Sequence, residues 1–229
     1  MREYQAKESS LNLKIGFRDI LANLPVPGTS EFSDLRLSLK PFGLKGDSCS
    51  VEPAHTTAQT MKLSAVRVNF SLLNDTIFFR VGYEGIEISI PTVLDNSAEL
   101  AVGIFETILG SFKEQEVAVS SASVQSTAHL ELEHQDPRHY LNEQFQINHA
   151  KLVPDAFAVE INPLDGSPVK SCRIVVARSL RFETSLFLDF VANYEFDDSF
   201  SAAGFLVTAR SDYKVRLGLL GLRSKGLSK

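Results

Sequence analysis

The chain has no tryptophan, two methionines and only two cysteines among its 229 residues. Cys49 and Cys172 stand far apart in sequence, so no disulfide framework can brace the fold, and both read as reduced, buried thiols. No stretch approaches the ~20 consecutive apolar residues of a membrane-spanning helix. The opening residues, Met1 to Glu8, lack the apolar core of a secretory signal. The expected compartment is therefore the cytoplasm. Also missing are the glycine-rich phosphate loops, the Gly-x-Ser-x-Gly elbow, and the His-Glu-x-x-His and Cys-x-x-Cys metal or redox pairs. Catalysis without them would need a site assembled from distant residues, so the expectation is a protein without cofactor.

Apolar residues make up 44% of the chain and 16 of them are phenylalanine, enough to pack a sizeable core around phenyl rings. Net charge is −5 and unevenly spread. After residue 198 come six cations (Arg210, Lys214, Arg216, Arg223, Lys225 and Lys229) against Asp212 alone, so a basic end follows an acidic body. Such an end can meet an anionic surface, nucleic acid included, or simply complement the C-terminus of a helix. No aromatic residue interleaves with Arg223, Lys225 and Lys229, which favours the second reading.

From Cys172 to Phe196 apolar residues take alternate positions: Cys172, Ile174 and Val176, then Leu180 and Phe182, then Leu186, Leu188, Phe190, Ala192, Tyr194 and Phe196. A period of two sends one set to a buried face and Arg173, Arg181, Glu183, Asp189, Asn193 and Glu195 to a wet one, the pattern of an antiparallel sheet. One strand of about 25 residues would reach roughly 80 Å, too long for this chain. Hence the spacing predicts a hairpin over 169–196 turning at Glu183-Thr184. Asp197-Asp198-Ser199 then cap a helix over 199–220, punctuated by Gly218 and Gly221.

A similar plan is expected over 66–112. Val66 to Leu72 and Ile77 onward form a hairpin about Asn74-Asp75, residues that tolerate the positive φ of a tight turn. Gly85 interrupts the return strand, and Ile86, Ile88 and Ile90 resume out of phase, the mark of a β-bulge within a strand that ends at Pro91. A helix follows over 97–112, capped by Asn96 or Ser97, with Leu100, Ile104, Ile108 and Phe112 on one stripe. Further strands are expected at Leu11–Phe17, Leu35–Leu39, Val117–Leu132 and Phe157–Ile161.

These elements define an α+β protein: antiparallel sheet, two principal helices packed on one face, and two topologically similar hairpin-plus-helix halves. The polar segment 134–153, with Asp136-Pro137, divides an N-terminal half (1–133) from a C-terminal half (154–229), unless the whole is one continuous domain. Acidic antiparallel hairpins backed by helices resemble, at the level of fold alone, the SecB family of export chaperones. Glu183-Thr184 leading into Leu186 to Phe196 is the one local echo, too generic to define membership.

Three sets of residues are candidates for function. His129, Glu131 and Glu133 alternate on the outer face of one strand, where imidazole and carboxylates could hold a divalent cation, although a solvated strand face has the same pattern. Phe187 and Val191 break the polar face of the long hairpin and form a patch fit for a partner, together with Arg223, Lys225 and Lys229. Phe70, Phe79, Phe182, Phe190 and Phe205 either fill the core or line an apolar pocket. The preferred function is a non-enzymatic interaction or assembly subunit with a protein partner or a second copy. A chaperone-like binder of extended polypeptides and a small-ligand binder or enzyme with an apolar pocket are the alternatives.

Overall fold

A computed structural model describes residues 2–45, 49–52, 66–94, 96–112, 117–133, 135–145, 155–161, 168–196 and 200–224. Its strands are β1 (Arg2–Phe17), β2 (Cys49–Glu52), β3 (Arg67–Leu72), β4 (Ile77–Gly82), β5 (Gly85–Ile90), β6 (Val119–Leu132), β7 (Ala156–Ile161), β8 (Val169–Arg178), β9 (Ser185–Glu195) and β10 (Leu222–Ser224). Its helices are α1 (Ser30–Leu39), α2 (Ser97–Ser111), α3 (Pro137–Phe145) and α4 (Ala202–Leu219). The sheet runs β2-β3-β4-β5-β1-β6-β9-β8-β7, and β10 adds to β1 in parallel. The class is α+β with an antiparallel sheet, as the alternation implies. Read along the chain, both halves share one order. A long strand (β1 or β6) leads to a helix, then to a meander whose last strand (β5 or β9) returns beside the long one, then to a second helix.

Two compact units cut across that order. One comprises Met1–Leu11, Val124–Asn193 and Val207–Lys229; the other comprises Asn12–Ser123 and Tyr194–Leu206. In the second of these, β3, β4 and β5 form an antiparallel meander with Phe70 opposite Phe79 and Phe79 opposite Ile88. Val68, Phe70, Leu72, Ile77, Phe79, Val81, Ile86, Ile88 and Ile90 are all buried, while residues between them reach solvent. The Phe70 and Phe79 rings stack at 4.4 Å, so these two phenyls belong to the core.

The β3–β4 turn has positive φ at Asn74 and Asp75, as those residue types suggest, and also at Leu73 (φ 50). The phase slip at Gly85 is not a bulge. Gly82 pairs with Gly85 across Tyr83-Glu84, so it marks a two-residue hairpin turn between β4 and β5. A change of strand shifts the apolar phase just as an inserted residue would. Gly85 itself is dictated by crowding, because a Cβ there would fall on the Ile15 carbonyl of β1.

The segment 35–39 is the end of helix α1 and not a strand. Leu35, Leu37 and Leu39 mimic a period of two, but Leu37 is 61% exposed and the buried set is Phe32, Leu35 and Leu39. That is helical spacing, launched by the Thr29 hydroxyl accepting from the Phe32 amide at 3.2 Å. Helix α2 lies as expected and packs on α1, burying Ala101, Ile104, Phe105 and Ile108. Asn96 is its N-cap residue without a side-chain bond; the Ser97 hydroxyl instead accepts from the Leu94 amide at 2.7 Å.

In the other unit β6, β8 and β9 bury Leu130, Leu132, Ile174, Val176, Leu186, Leu188 and Phe190. Helix α4 covers them, with Tyr213 edge-on to Phe190 at 5.1 Å. In the neighbouring unit its first turn sets Phe205 against Tyr194 at 5.3 Å. The helix is capped by Ser201, whose hydroxyl accepts from the Gly204 amide at 3.2 Å; Asp197, Asp198 and Ser199 lie outside the described residues. Gly221 (φ 71) supplies the left-handed residue after its end.

Two expectations along this unit need correction. The β8–β9 connection is not a turn at Glu183-Thr184 but six residues, Ser179 to Thr184, so Leu180 and Phe182 leave the strand and Leu180 is 98% exposed. The polar stretch 134–153 contains helix α3, whose Tyr140 and Leu141 are buried. The Tyr140 hydroxyl donates to the Leu220 carbonyl at 2.9 Å, tying α3 to the end of α4.

Candidate functional site

The half-exposed sheet face of the unit built on β6, β8 and β9 brings together residues from three elements. Strand β6 contributes His129 and Glu131, β9 contributes Phe187, and the β8–β9 loop contributes Ser179, Arg181 and Phe182. His129 stands edge-on to Phe182 at 5.1 Å and tilted against Phe187 at 5.4 Å. Its Nδ1 lies 2.9 Å from the Ser179 hydroxyl. That hydroxyl also accepts from the amides of Arg181 (3.1 Å) and Phe182 (2.9 Å), holding the loop in a tight turn. Lys7 of β1 lies 5.4 Å from the Phe182 ring centre and Arg181 5.5 Å from it. Lys7 pairs with Glu131 at 2.9 Å and Arg181 with Glu8 at 2.6 Å.

These bonds decide the chemistry available to the candidate metal ligands. His129 is committed to Ser179 and Glu131 to Lys7, with the Thr184 hydroxyl 3.4 Å from the same carboxylate. Glu133 gives its backbone amide to the Glu3 carbonyl at 3.1 Å. Among the described residues no three His, Cys, Asp or Glu side chains gather as a cation site would require.

Phe187 therefore packs on an imidazole, and Val191 lines a separate shallow groove with Ile161, Cys172 and Asn193. Arg223 sits exposed in β10 opposite Glu3; Lys225 and Lys229 lie outside the described residues. Phe190 and Phe205 are core, as are Phe70 and Phe79. Phe182 alone of the five belongs to a loop.

Helix α4 carries two features absent from the sequence reading. On its inner side Arg216 is fully buried, yet Nε, Nη1 and Nη2 all lack a hydrogen-bond partner. Asp212, one turn earlier, is buried with Oδ2 unsatisfied. Burial pushes the nearby Cys172 thiol up, opposed by the charge of Arg216 and reinforced by that of Asp212. On the outer side Val207 (70% exposed), Val215 (47%) and Leu219 (65%) share a stripe with Ser211, beside Arg210 and Lys214. A surface helix normally turns polar residues outward. The signal was available in the sequence as an apolar set on two opposite sides of one helix.

On the unit built on β3, β4 and β5 the open sheet face forms a groove of about 730 Å³ around the half-exposed Phe78, with Asn69, Arg80, Glu87 and Ser89 among its walls. No described helix is long and apolar enough to cross a membrane. The chain matches no protein-family model and no curated protein sequence.

Proposed function

We propose that this protein is a non-enzymatic interaction subunit that receives a partner on the outer face of α4. The observation that carries the reading is the exposed stripe Val207, Val215 and Leu219 on a helix whose inner side already covers the sheet. Large apolar side chains repeated one or two turns apart suit a partner helix or groove laid along them. Arg210 and Lys214 beside the stripe favour a partner with acidic flanks. Two copies meeting through this stripe would bring four of these cations together, which argues against self-association there. Replacing Val207, Val215 and Leu219 together by serine should leave the thermal midpoint nearly unchanged. It should also remove the acidic proteins that a gentle pull-down with the wild-type chain retains, read by mass spectrometry. Equal capture by both chains would sink this reading.

A second reading, a small-ligand binder, rests on the groove around Phe78. Phe70 and Phe79, two of the phenyls expected above to line an apolar pocket, are among its walls although their side chains are buried, whereas Phe182, Phe190 and Phe205 are not.

A further inference from the structure

We propose that His129 is a proton-operated latch on the Ser179–Thr184 loop. The Ser179 hydroxyl is buried, so its hydrogen-bond capacity is met within the protein. A serine oxygen has two lone pairs and one hydrogen. Both lone pairs of Ser179 are taken by the Arg181 and Phe182 amides, so its hydrogen is what it offers to His129. Nδ1 is therefore the acceptor, and the neutral ring carries its proton on Nε2.

A second proton converts Nδ1 into a donor facing an oxygen with no lone pair to spare. One of three bonds must break: the imidazole swings off Ser179, or the oxygen releases an amide of the loop. Release of an amide opens the turn directly; a swing of the imidazole withdraws the ring on which Phe182 stacks, and the unsupported loop then exchanges its amides as Phe182 joins Leu180 in solvent.

The charged groups on this face come from every neighbouring element. Lys7 of β1 and Arg181 of the loop oppose a charged ring, whereas Glu131 of β6, Glu183 of the loop and Asp189 of β9 favour it. Four of these are already paired: Lys7 with Glu131, Arg181 with Glu8, and Asp189 with Arg173 of β8 at 4.0 Å. Asp189 accepts from Gln125 at 2.9 Å. The bond to Ser179, and not a lone neighbouring charge, is what distinguishes the two states.

The test uses the full chain labelled with ¹⁵N. Exchange of the Arg181 and Phe182 amides, corrected for intrinsic pH dependence, is followed from pH 8 to pH 5 beside the buried strand amide of Leu188. Loss of a buried hydrogen bond should lower protection at Arg181 and Phe182 about tenfold, with Leu188 unchanged. His129→Gln, whose amide oxygen still accepts from Ser179 and does not titrate, should show no such fall. Constant protection in the wild type, an equal fall in the variant, or a parallel fall at Leu188 overturns the latch. Long-range ¹⁵N spectra of the wild-type imidazole at pH 8 need no variant: an unprotonated Nδ1 supports the proposal and the opposite tautomer defeats it.

Discussion

In the first half of the chain β4 turns into β5 through two residues, Tyr83 and Glu84, whereas in the second half β8 reaches β9 through six. Helix α2 packs on α1 and keeps its large exposed residues few, while α4 shows Val207, Val215 and Leu219 to solvent. The first meander stacks phenyl on phenyl; the second is covered by a helix that buries an arginine with no partner. Both halves follow the same order of elements, so the order cannot account for these differences. The two halves differ in the kind of feature that raises free energy: backbone strain at Leu73 in the first, and buried polar atoms without partners at Asp212 and Arg216 in the second; natural structures keep such features chiefly where they serve binding or switching.

The comparison can be broken by mutation. The largest effect is expected at Phe70, which stacks on both Phe79 and Phe32. Phe70→Ala should cost about 3–5 kcal/mol in urea unfolding, as phenyl truncations in closed cores do. A cost near zero would show that the first half is not the tightly finished one. Next comes a change of opposite sign. Arg216→Met combined with Asp212→Leu removes both buried charges of α4 while keeping apolar side chains, and should raise stability by about 1–4 kcal/mol. Destabilisation would mean that the guanidinium has a partner in solution, and the contrast between the halves would narrow.

The smallest effect concerns alkaline pH. Burial pushes the Tyr140 hydroxyl up to about 12, opposed by the charge of Arg2, and burial also raises Tyr4 and Tyr213. A tyrosine held protonated in the fold but ionised when unfolded contributes stability that is intact below pH ~10 and is lost as pH rises through the folded value. For Tyr140 the loss amounts to roughly 1 kcal/mol per pH unit between about 10 and 12. Tyr140→Phe should flatten that slope in denaturant titrations at pH 9, 10 and 11, while losing the bond to the Leu220 carbonyl at every pH.

Much of the second half could be read residue by residue. The alternation at Cys172–Val176 and Leu186–Tyr194 found the buried face of β8 and β9, because a strand with one wet side must repeat every two residues. It failed at Leu180 and Phe182, which keep the phase by coincidence while the Ser179 hydroxyl turns the backbone out of the sheet. In the first half Leu35, Leu37 and Leu39 misled for a related reason: three residues cannot separate a period of two from 3.6 until Phe32 is counted. Of the candidate site, Phe187 was visible as a departure from polar alternation and His129 as a member of the polar face of its strand. Their junction with Ser179 was not, since fifty residues separate the two bonded side chains.

Alone, the order of residues determined the class of the fold, strands β3, β8 and β9, the apolar alternation of β4 and β5 but not the turn between them, helices α2 and α4, and an acidic body ending in cations. Periodicity is a local property, and a local property suffices where one face must meet water and the other must not. Only the tertiary structure decided that Arg216 lies inside without a hydrogen-bond partner, and that Ser179 spends both lone pairs on its own loop before meeting His129. Burial and hydrogen-bond capacity depend on which distant groups arrive at the same place, and no spacing along a chain records that.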